Sequence, residues 1–486
     1  MKKKFISLFI CLAGIVSTLC CVAQQKPATT DAIKNQAITD IEQQYDKYRN
    51  TALQLWNYAE VGYKEIKSSA LLQQTLSENG FTLQKGVAEM PTAFIASYGS
   101  GQPVIAILAE FDALPGLAQE AIPVKKIISN KTAGHACGHH LFGTASVAAG
   151  IEIKKLMEQK KLSGTIRVYG CPAEEGGSGK VFMVRAGLFN DVDVAIHWHP
   201  GDANAVTMTS ALANKSAKFR FHGLSAHAAA APEKGRSALD AVEAMNNMVN
   251  MMREHIPQET RIHYVITNGG KAPNVIPDFA EVYYYVRHPK REDVVKIFDR
   301  VVKAARGAAM GTETTVDYEI IGGTHDLLLN RTLADAMQLN LEKTGGVKLT
   351  GEEIEFGKKL QTSFDFTPPA IATAANIKPL KTEESSGGGS TDVGDVSYAV
   401  PTVGMRAATW IPGTPAHSWQ AVACGGTEIG TKGMMVGAKT MALTAIDLFT
   451  TPALITKAKE EFIKDKGAYQ YKALLGDIQP ALNYRD

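Results

Sequence analysis

Pro103-Val-Ile-Ala-Ile-Leu-Ala109 runs straight into Glu110-Phe-Asp112-Ala-Leu-Pro-Gly116, and the pattern returns twice. Thr165-Ile-Arg-Val-Tyr169 leads to Gly170-Cys-Pro-Ala-Glu174-Glu175-Gly-Gly177, and Val192-Asp-Val-Ala-Ile196 leads to His197-Trp-His199-Pro200. Runs this apolar read as strands buried on both faces, and the Ala-rich helical stretch from Phe142 to Lys160 supplies the crossover that parallel neighbours need. The reading is an α/β fold with a mostly parallel sheet. Each run ends in polar, chemistry-bearing residues, and the C-terminal edge of such a sheet is where ligands bind.

Working outward, the texture changes between residues 214 and 321. Lys218-Phe-Arg-Phe-His222 alternates, Gly235 to Ile256 is helical, and Ile262 to Thr267 and Ala280 to Val286 are strands. Arg291 to Met310 is helical again and Thr315 to Ile320 closes the set, a β-α-β-β-α-β order that predicts a ferredoxin-like unit. Apolar helices at Leu333 to Lys343 and Thr431 to Phe449 then resume the first domain. The expected division is a main domain in two parts, 24–213 and 322–486, with the small unit at 214–321 inserted. Ahead of these elements, Ile38, Ile41, Tyr45, Tyr48, Ala52 and Leu55 recur at helical spacing and predict one amphipathic helix. The Ser385-Ser-Gly-Gly-Gly-Ser390 patch reads as a mobile loop.

At 486 residues with 45% apolar and 21% charged residues, the chain is an ordinary folded protein, long enough for two domains. Lys plus Arg number 51 against 49 Asp plus Glu, a net charge of +2 with no basic stretch in the body, which argues against a nucleic-acid partner. Lys2 to Lys4, the apolar run Phe5 to Val22 and small Ala23 read as a secretory signal over 1–23, so export, to a periplasm, is expected. The run is short for a membrane anchor and is interrupted by Ser17 and Thr18, and no small residue directly precedes Cys20 or Cys21 as a lipid anchor would need. Outside that segment only Cys137, Cys171 and Cys424 remain, an odd number that makes no disulfide framework.

His135-Ala-Cys-Gly-His-His140 packs three imidazoles and a thiol into six positions before a helix, and these are ligands that suit zinc and related divalent ions. Glu174-Glu175 sets two carboxylates at a strand end: one can hold a metal while the other takes a proton from water. His197 and His199 alternate onto the same side of their strand, so either can ligate. Asp112 can orient a ligating histidine by accepting its second N–H, or cap the following turn. His417, in Thr414-Pro-Ala-His417-Ser-Trp, is alone in a turn and carries no signal by itself.

Taken with Gly138-His139, Trp198-His-Pro200, Ser225-Ala-His-Ala228, Pro273-Asn-Val275 and Ser390-Thr-Asp-Val-Gly-Asp395, these motifs resemble the metallopeptidase and amidohydrolase family of aminoacylases, glutamate carboxypeptidases and auxin-conjugate hydrolases, over about Tyr45 to Phe449. The resemblance implies a catalytic domain interrupted by a dimerisation or lid domain. It implies two divalent ions, Mn or Zn, held by Cys137, His139, Glu175, His199 and His417, with Glu174 as general base. It also implies that His227 reaches the active site of a partner subunit, and that Asn274 and Arg287 grip the substrate. Many members carry Asp or Asn where this chain has His140, which leaves that position open as a ligand or a supporting group. The expectation is a homodimeric amidohydrolase for an acyl–amino acid, an aminobenzoyl-glutamate-like amide being the most specific candidate. The alternatives are a broad dipeptidase, or a subunit that needs a related partner chain.

Overall fold

The computed structural model describes residues 1, 29–160, 162–383 and 385–485; the expected signal segment lies outside the described residues. Along the chain run β1 (Thr82–Lys85), β2 (Phe94–Ser100), β3 (Val104–Glu110), β4 (Gly164–Cys171), β5 (Val194–Gly201) and the two-residue β6 (Ala205–Val206). Then come β7 (Ala213–His222), β8 (Arg261–Asn268), β9 (Phe279–His288), β10 (Thr315–Thr324) and β11 (Thr402–Ala408). The main sheet has the order β1-β2-β4-β3-β5-β11-β6. Its four central strands, β4-β3-β5-β11, are parallel as expected. The edges are antiparallel, through β1-β2, β2-β4 and β11-β6, so the whole sheet is mixed. The reason is local: β2 and β3 follow one another directly yet are not neighbours, because β4 inserts between them.

All seven residues of β3 are buried, which is why it reads as an unbroken apolar run. Helix α1 (His139–Lys160) is buried on every side over its first three turns, and it packs against the long buried helix Glu428–Thr450. These helices, the sheet and the N-terminal helices share one large core. The predicted single opening helix is two, Thr30–Gln43 and Tyr45–Tyr58, separated at Gln44. The break leaves the periodicity untouched, because Ile41 and Tyr48 are seven apart and both stay buried on one stripe.

The second sheet has the order β8-β9-β7-β10, antiparallel throughout, the ferredoxin-like arrangement. Helices α2 (Ala238–Met252) and α3 (Arg291–Gly311) cover one face with Ala241, Val242, Met245 and Val249, and with Val294, Ile297, Val301 and Ala305, at helical spacing around a separate core. β9 alternates strictly: Ala280, Val282, Tyr284 and Val286 point at the helices, while Glu281, Tyr283, Tyr285 and Arg287 line the opposite, open face. Where the chain returns to the main domain, Arg291 bonds Asp326 at 3.1 Å and the Tyr398 hydroxyl at 2.7 Å. The Ser-Gly patch is not wholly loop: Ser385–Ser386 pairs in parallel with Thr209–Ser210.

Candidate metal centre

Three adjacent parallel strands deliver their C-terminal ends to one edge: β3 ends at Glu110 and leads to Asp112, β4 leads to Glu174 and Glu175, and β5 carries His197 and His199. The start of α1 adds Cys137 and His139. Between them Gly138 has φ +79°, and a Cβ there would stand 2.6 Å from the Pro200 ring, so only glycine lets this turn lie against the His199-Pro200 strand end. His417 arrives from a turn with φ 59°, and Ala173, just before the two glutamates, has φ 55°. Left-handed backbone at non-glycine residues costs on the order of 1 kcal/mol or more each, and the site holds two such residues.

Asp112 organises the site. Its Oδ1 accepts the His139 Nδ1–H at 2.9 Å, and its Oδ2 accepts the Glu175 backbone N–H at 2.9 Å. Of the two sequence readings of Asp112, the geometry shows the orienting of a histidine; the second bond goes to the Glu174-Glu175 loop and not to the turn that follows Asp112. With its proton on Nδ1, His139 turns the Nε2 lone pair toward Glu110 Oε2 at 3.1 Å and Glu174 Oε2 at 3.9 Å. His199 is held the same way: Nδ1 donates to the Pro200 carbonyl at 2.7 Å, and Nε2 faces Cys137 Sγ at 3.4 Å. His417 Nε2 lies 3.1 Å from Glu175 Oε1.

The potential ligand atoms fall into three overlapping groups, each within 4.8 Å: Cys137, His139 and His199; Cys137, Glu175 and His417; and Glu110, His139 and Glu174. The first two together contain all five residues expected as ligands and share the thiol. His139 Nε2 and Glu175 Oε1 are buried without a hydrogen-bond partner. Burial opposes protonation of His139, but Cys137, Asp112 and Glu110 outweigh it and hold the imidazole well above its ordinary value. Burial, then Glu110 and Glu175, push the Glu174 carboxyl well up. Burial likewise pushes the Cys137 thiol up, with Glu175 adding to it. Buried carboxylates, a thiol and imidazole nitrogens gathered so closely that they draw a proton onto His139 are what a divalent cation satisfies in its place, so the donor set fits the expected metal.

The other histidines of the cluster face elsewhere. His140 Nε2 bonds the Gly425 carbonyl at 2.9 Å and His135 Nε2 bonds the Leu55 carbonyl at 3.1 Å, so neither joins the ligand groups. Burial lowers His140 to about 3 and His197 to about 3, which keeps both neutral. His197 lies over Gly404 of β11, where a Cβ would come within 2.1 Å of its Nε2; of the two strand histidines, His199 alone meets Cys137.

The second domain places its candidates outside this cluster. His227 is exposed, with Nδ1 accepting the N–H groups of Ala229 and Ala230 at 3.2 Å each. Asn274 is exposed on the adjoining loop, its carbonyl accepting the Ala228 N–H at 3.0 Å. Arg287 lies on the open face of β9, its guanidinium 5.3 Å from the Tyr285 ring centre.

Several supporting residues escape a reading of the sequence. Fully buried Lys180 sits 2.6 Å from both Glu110 Oε1 and Asp392 Oδ1. Glu65 accepts the Ala173 N–H at 2.8 Å and the Thr92 hydroxyl at 3.0 Å, anchoring the Glu174-Glu175 loop. Tyr484 donates to the Glu175 carbonyl at 3.0 Å, and Arg485 donates to the same oxygen. Glu110, Lys180 and Asp392 stand inside or beside the motifs quoted above; Glu65, Tyr484 and Arg485 have no local signal.

A ligand-competent thiol, imidazoles and carboxylates at the C-terminal edge of this sheet, with a ferredoxin-like insertion, define a metallohydrolase. The chain belongs to the M20 family of metallopeptidases and amidohydrolases. Residues 213–313 match the family's peptidase dimerisation domain. The sequence is 42% identical to one of the subunits of p-aminobenzoyl-glutamate hydrolase of Escherichia coli over 446 residues, covering 87% of this chain and 93% of that protein. It is 28% identical to the Xaa-Arg dipeptidase of Mus musculus, covering 90% of this chain and 93% of that one. Among solved structures, an aminobenzoyl-glutamate utilization protein from Klebsiella pneumoniae shares the fold with a TM-score of 0.57 at 18% identity, covering 86% of this chain and 98% of that one.

Proposed function

We propose that this hydrolase cleaves the amide bond between an acyl group and an amino acid, with p-aminobenzoyl-glutamate as the leading substrate, and that it does so with two divalent ions, Mn or Zn. The observation that carries the reading is the division of the five donors into two groups that share Cys137. Cys137, His139 and His199 would hold one ion, and Cys137, Glu175 and His417 the other. The thiolate and imidazoles suit zinc, while the carboxylate also admits manganese. When bound, the ions lower the pKa of water and place positive charge at the scissile carbonyl.

The chain's own residues do the rest. Glu174 lies outside both thiol-sharing groups, so its carboxylate is free to take a proton from water and hand it to the leaving nitrogen. Asp112 keeps His139 in the tautomer that presents Nε2. His227, whose Nδ1 is already an acceptor, keeps its proton on Nε2; exposed as it is, it would donate that proton toward the carbonyl oxygen of a substrate in a partner copy as negative charge develops there. Asn274 would hold the same substrate, and Arg287 its carboxylate through a bidentate fork. The match to a dimerisation domain supports a homodimer. The E. coli relative is named as one subunit of its enzyme, which makes a related partner chain a second arrangement to test. Export rests on the N-terminal signal pattern alone.

The test is release of glutamate from p-aminobenzoyl-glutamate by the purified chain, with and without added Mn, beside a Glu174→Ala control. Metal-dependent release, lost in the control while its metal content stays near wild type, is the expected result. Turnover that survives in the control refutes Glu174 as the base. Release from Xaa-Arg dipeptides instead moves the chain to the dipeptidase reading, and activity that appears only on mixing with a related chain establishes the two-subunit arrangement.

A further inference from the structure

The open face of the second sheet is charged unevenly. At its far end Arg220 is neutralised by Glu281 at 2.8 Å and Glu319 at 2.5 Å. At the end near the catalytic loop Arg287 forms no ion pair among the described residues, and its Nε is buried without a hydrogen-bond partner. A second guanidinium in the same condition belongs to the main domain and lies near Tyr285. Arg485 rests 4.7 Å from the Tyr484 ring centre and donates one N–H to the Glu175 carbonyl; it too has no carboxylate partner among the described residues, and its Nε is buried and unpartnered.

Tyr285 joins the two. Its ring lies under Arg287, and its hydroxyl and Arg485 Nη2 stand 3.3 and 3.8 Å from the position a Cβ would take on Gly176, directly after Glu175. Two partly buried guanidiniums beside the catalytic loop, neither with a carboxylate at ion-pair distance among the described residues, are suited to receive anions from a ligand.

We propose that Arg485 and Tyr285 complete, with Arg287, a subsite for two carboxylates, so that the amino acid released by this enzyme is acidic. One carboxylate meets Arg287 and the other meets Arg485, each through a planar fork of N–H donors. The inference rests on the amidohydrolase reading and narrows it to acyl-glutamate or acyl-aspartate. It also disfavours a basic amino acid at that position, since a third cation would meet two unneutralised ones.

The experiment compares kcat/KM on p-aminobenzoyl-glutamate and p-aminobenzoyl-alanine for the metal-loaded wild type, Arg485→Gln and Arg485→Lys. Alongside, calorimetry measures binding of free L-glutamate and L-alanine to each. The wild type is expected to favour the glutamate substrate. Arg485→Gln loses that preference by about tenfold or more, chiefly through KM, and Arg485→Lys restores part of it. A residue that merely props the Glu175 carbonyl would slow both substrates equally and leave their ratio alone, so an unchanged ratio with unchanged glutamate binding overturns the subsite. If the wild type hydrolyses neither amide yet binds glutamate through Arg485, the hydrolytic reading fails and the subsite stands. Should Arg485→Gln not fold, Tyr285→Phe carries the same comparison.

Discussion

Asp112→Asn isolates the tautomer argument on which the metal centre depends. The carboxylate is 1% exposed and makes two bonds, accepting from His139 Nδ1 and from the Glu175 N–H, each at 2.9 Å. A carboxylate is acceptor-only and serves both; an amide offers one acceptor and one donor. If the amide oxygen keeps His139, its NH2 opposes the Glu175 N–H, and a buried donor left unsatisfied costs about 1–3 kcal/mol. If the oxygen keeps Glu175, the NH2 opposes His139 Nδ1, which must become the acceptor; the proton moves to Nε2, and the lone pair facing Glu110 and Glu174 is lost. Either outcome disturbs a ligand. The expected result is metal affinity about 10–100-fold weaker, which is roughly 1.4–2.7 kcal/mol. Titration against a competing chelator measures it, and unfolding of the metal-free protein separately measures the cost to the fold. An Asn variant whose metal affinity stays within about twofold of wild type would refute the orienting role.

Lys180→Met leaves Glu110 and Asp392, both buried and each 2.6 Å from the ammonium, without their cation; urea unfolding at neutral pH should show a loss of about 3–5 kcal/mol, and a loss under about 1 kcal/mol would mean the two carboxylates find other partners. Glu152 is pushed by burial from an ordinary 4.5 to about 8, so the native chain holds a proton there that the unfolded chain releases, and stability falls as pH rises from about 4.5 to about 8. Glu152→Gln should flatten that part of the urea-stability profile between pH 5 and pH 8, and an unaltered slope would place the titration elsewhere. His227→Ala should cut turnover with metal content intact; mixing it with Glu174→Ala chains should restore part of the activity, because some hybrid sites then carry both side chains. No recovery on mixing, with subunit exchange demonstrated, would confine His227 to its own chain.

What the sequence made legible follows from how each feature is encoded. The parallel centre of the main sheet was readable because a strand buried on both faces must be apolar throughout, as β3 is. The antiparallel edges were not, because β2 alternates no differently whether β3 or β4 lies beside it. The inserted unit was readable from element order alone. At the site, the ligand types could be read at strand ends, but the choice of His199 over His197 depends on the turn that Gly138 brings against Pro200. The role of His140 depends on a carbonyl 285 residues away along the chain. Tyr484 and Arg485 reach Glu175 from 309 and 310 residues away, and such contacts leave no local pattern.

The two halves of the site are incomplete in opposite senses. Around Cys137 and Asp112 the chain gathers carboxylates and lone pairs beyond what Lys180 can balance, and strains the backbone at Ala173 and His417 to do so. On the second sheet and the 484–485 segment, Arg287 and Arg485 have no carboxylate at ion-pair distance among the described residues. The first deficit is of a kind that cations satisfy and the second of a kind that anions satisfy. On the proposed subsite, a molecule with an amide carbonyl at one end and carboxylates at the other would be held in one direction. Its carbonyl would lie toward Glu174 and the residues that would hold the metal, and its acidic groups toward Arg287 and Arg485. On that proposal the direction of binding, and with it which bond meets Glu174, would be set by the charge of Arg287 and Arg485.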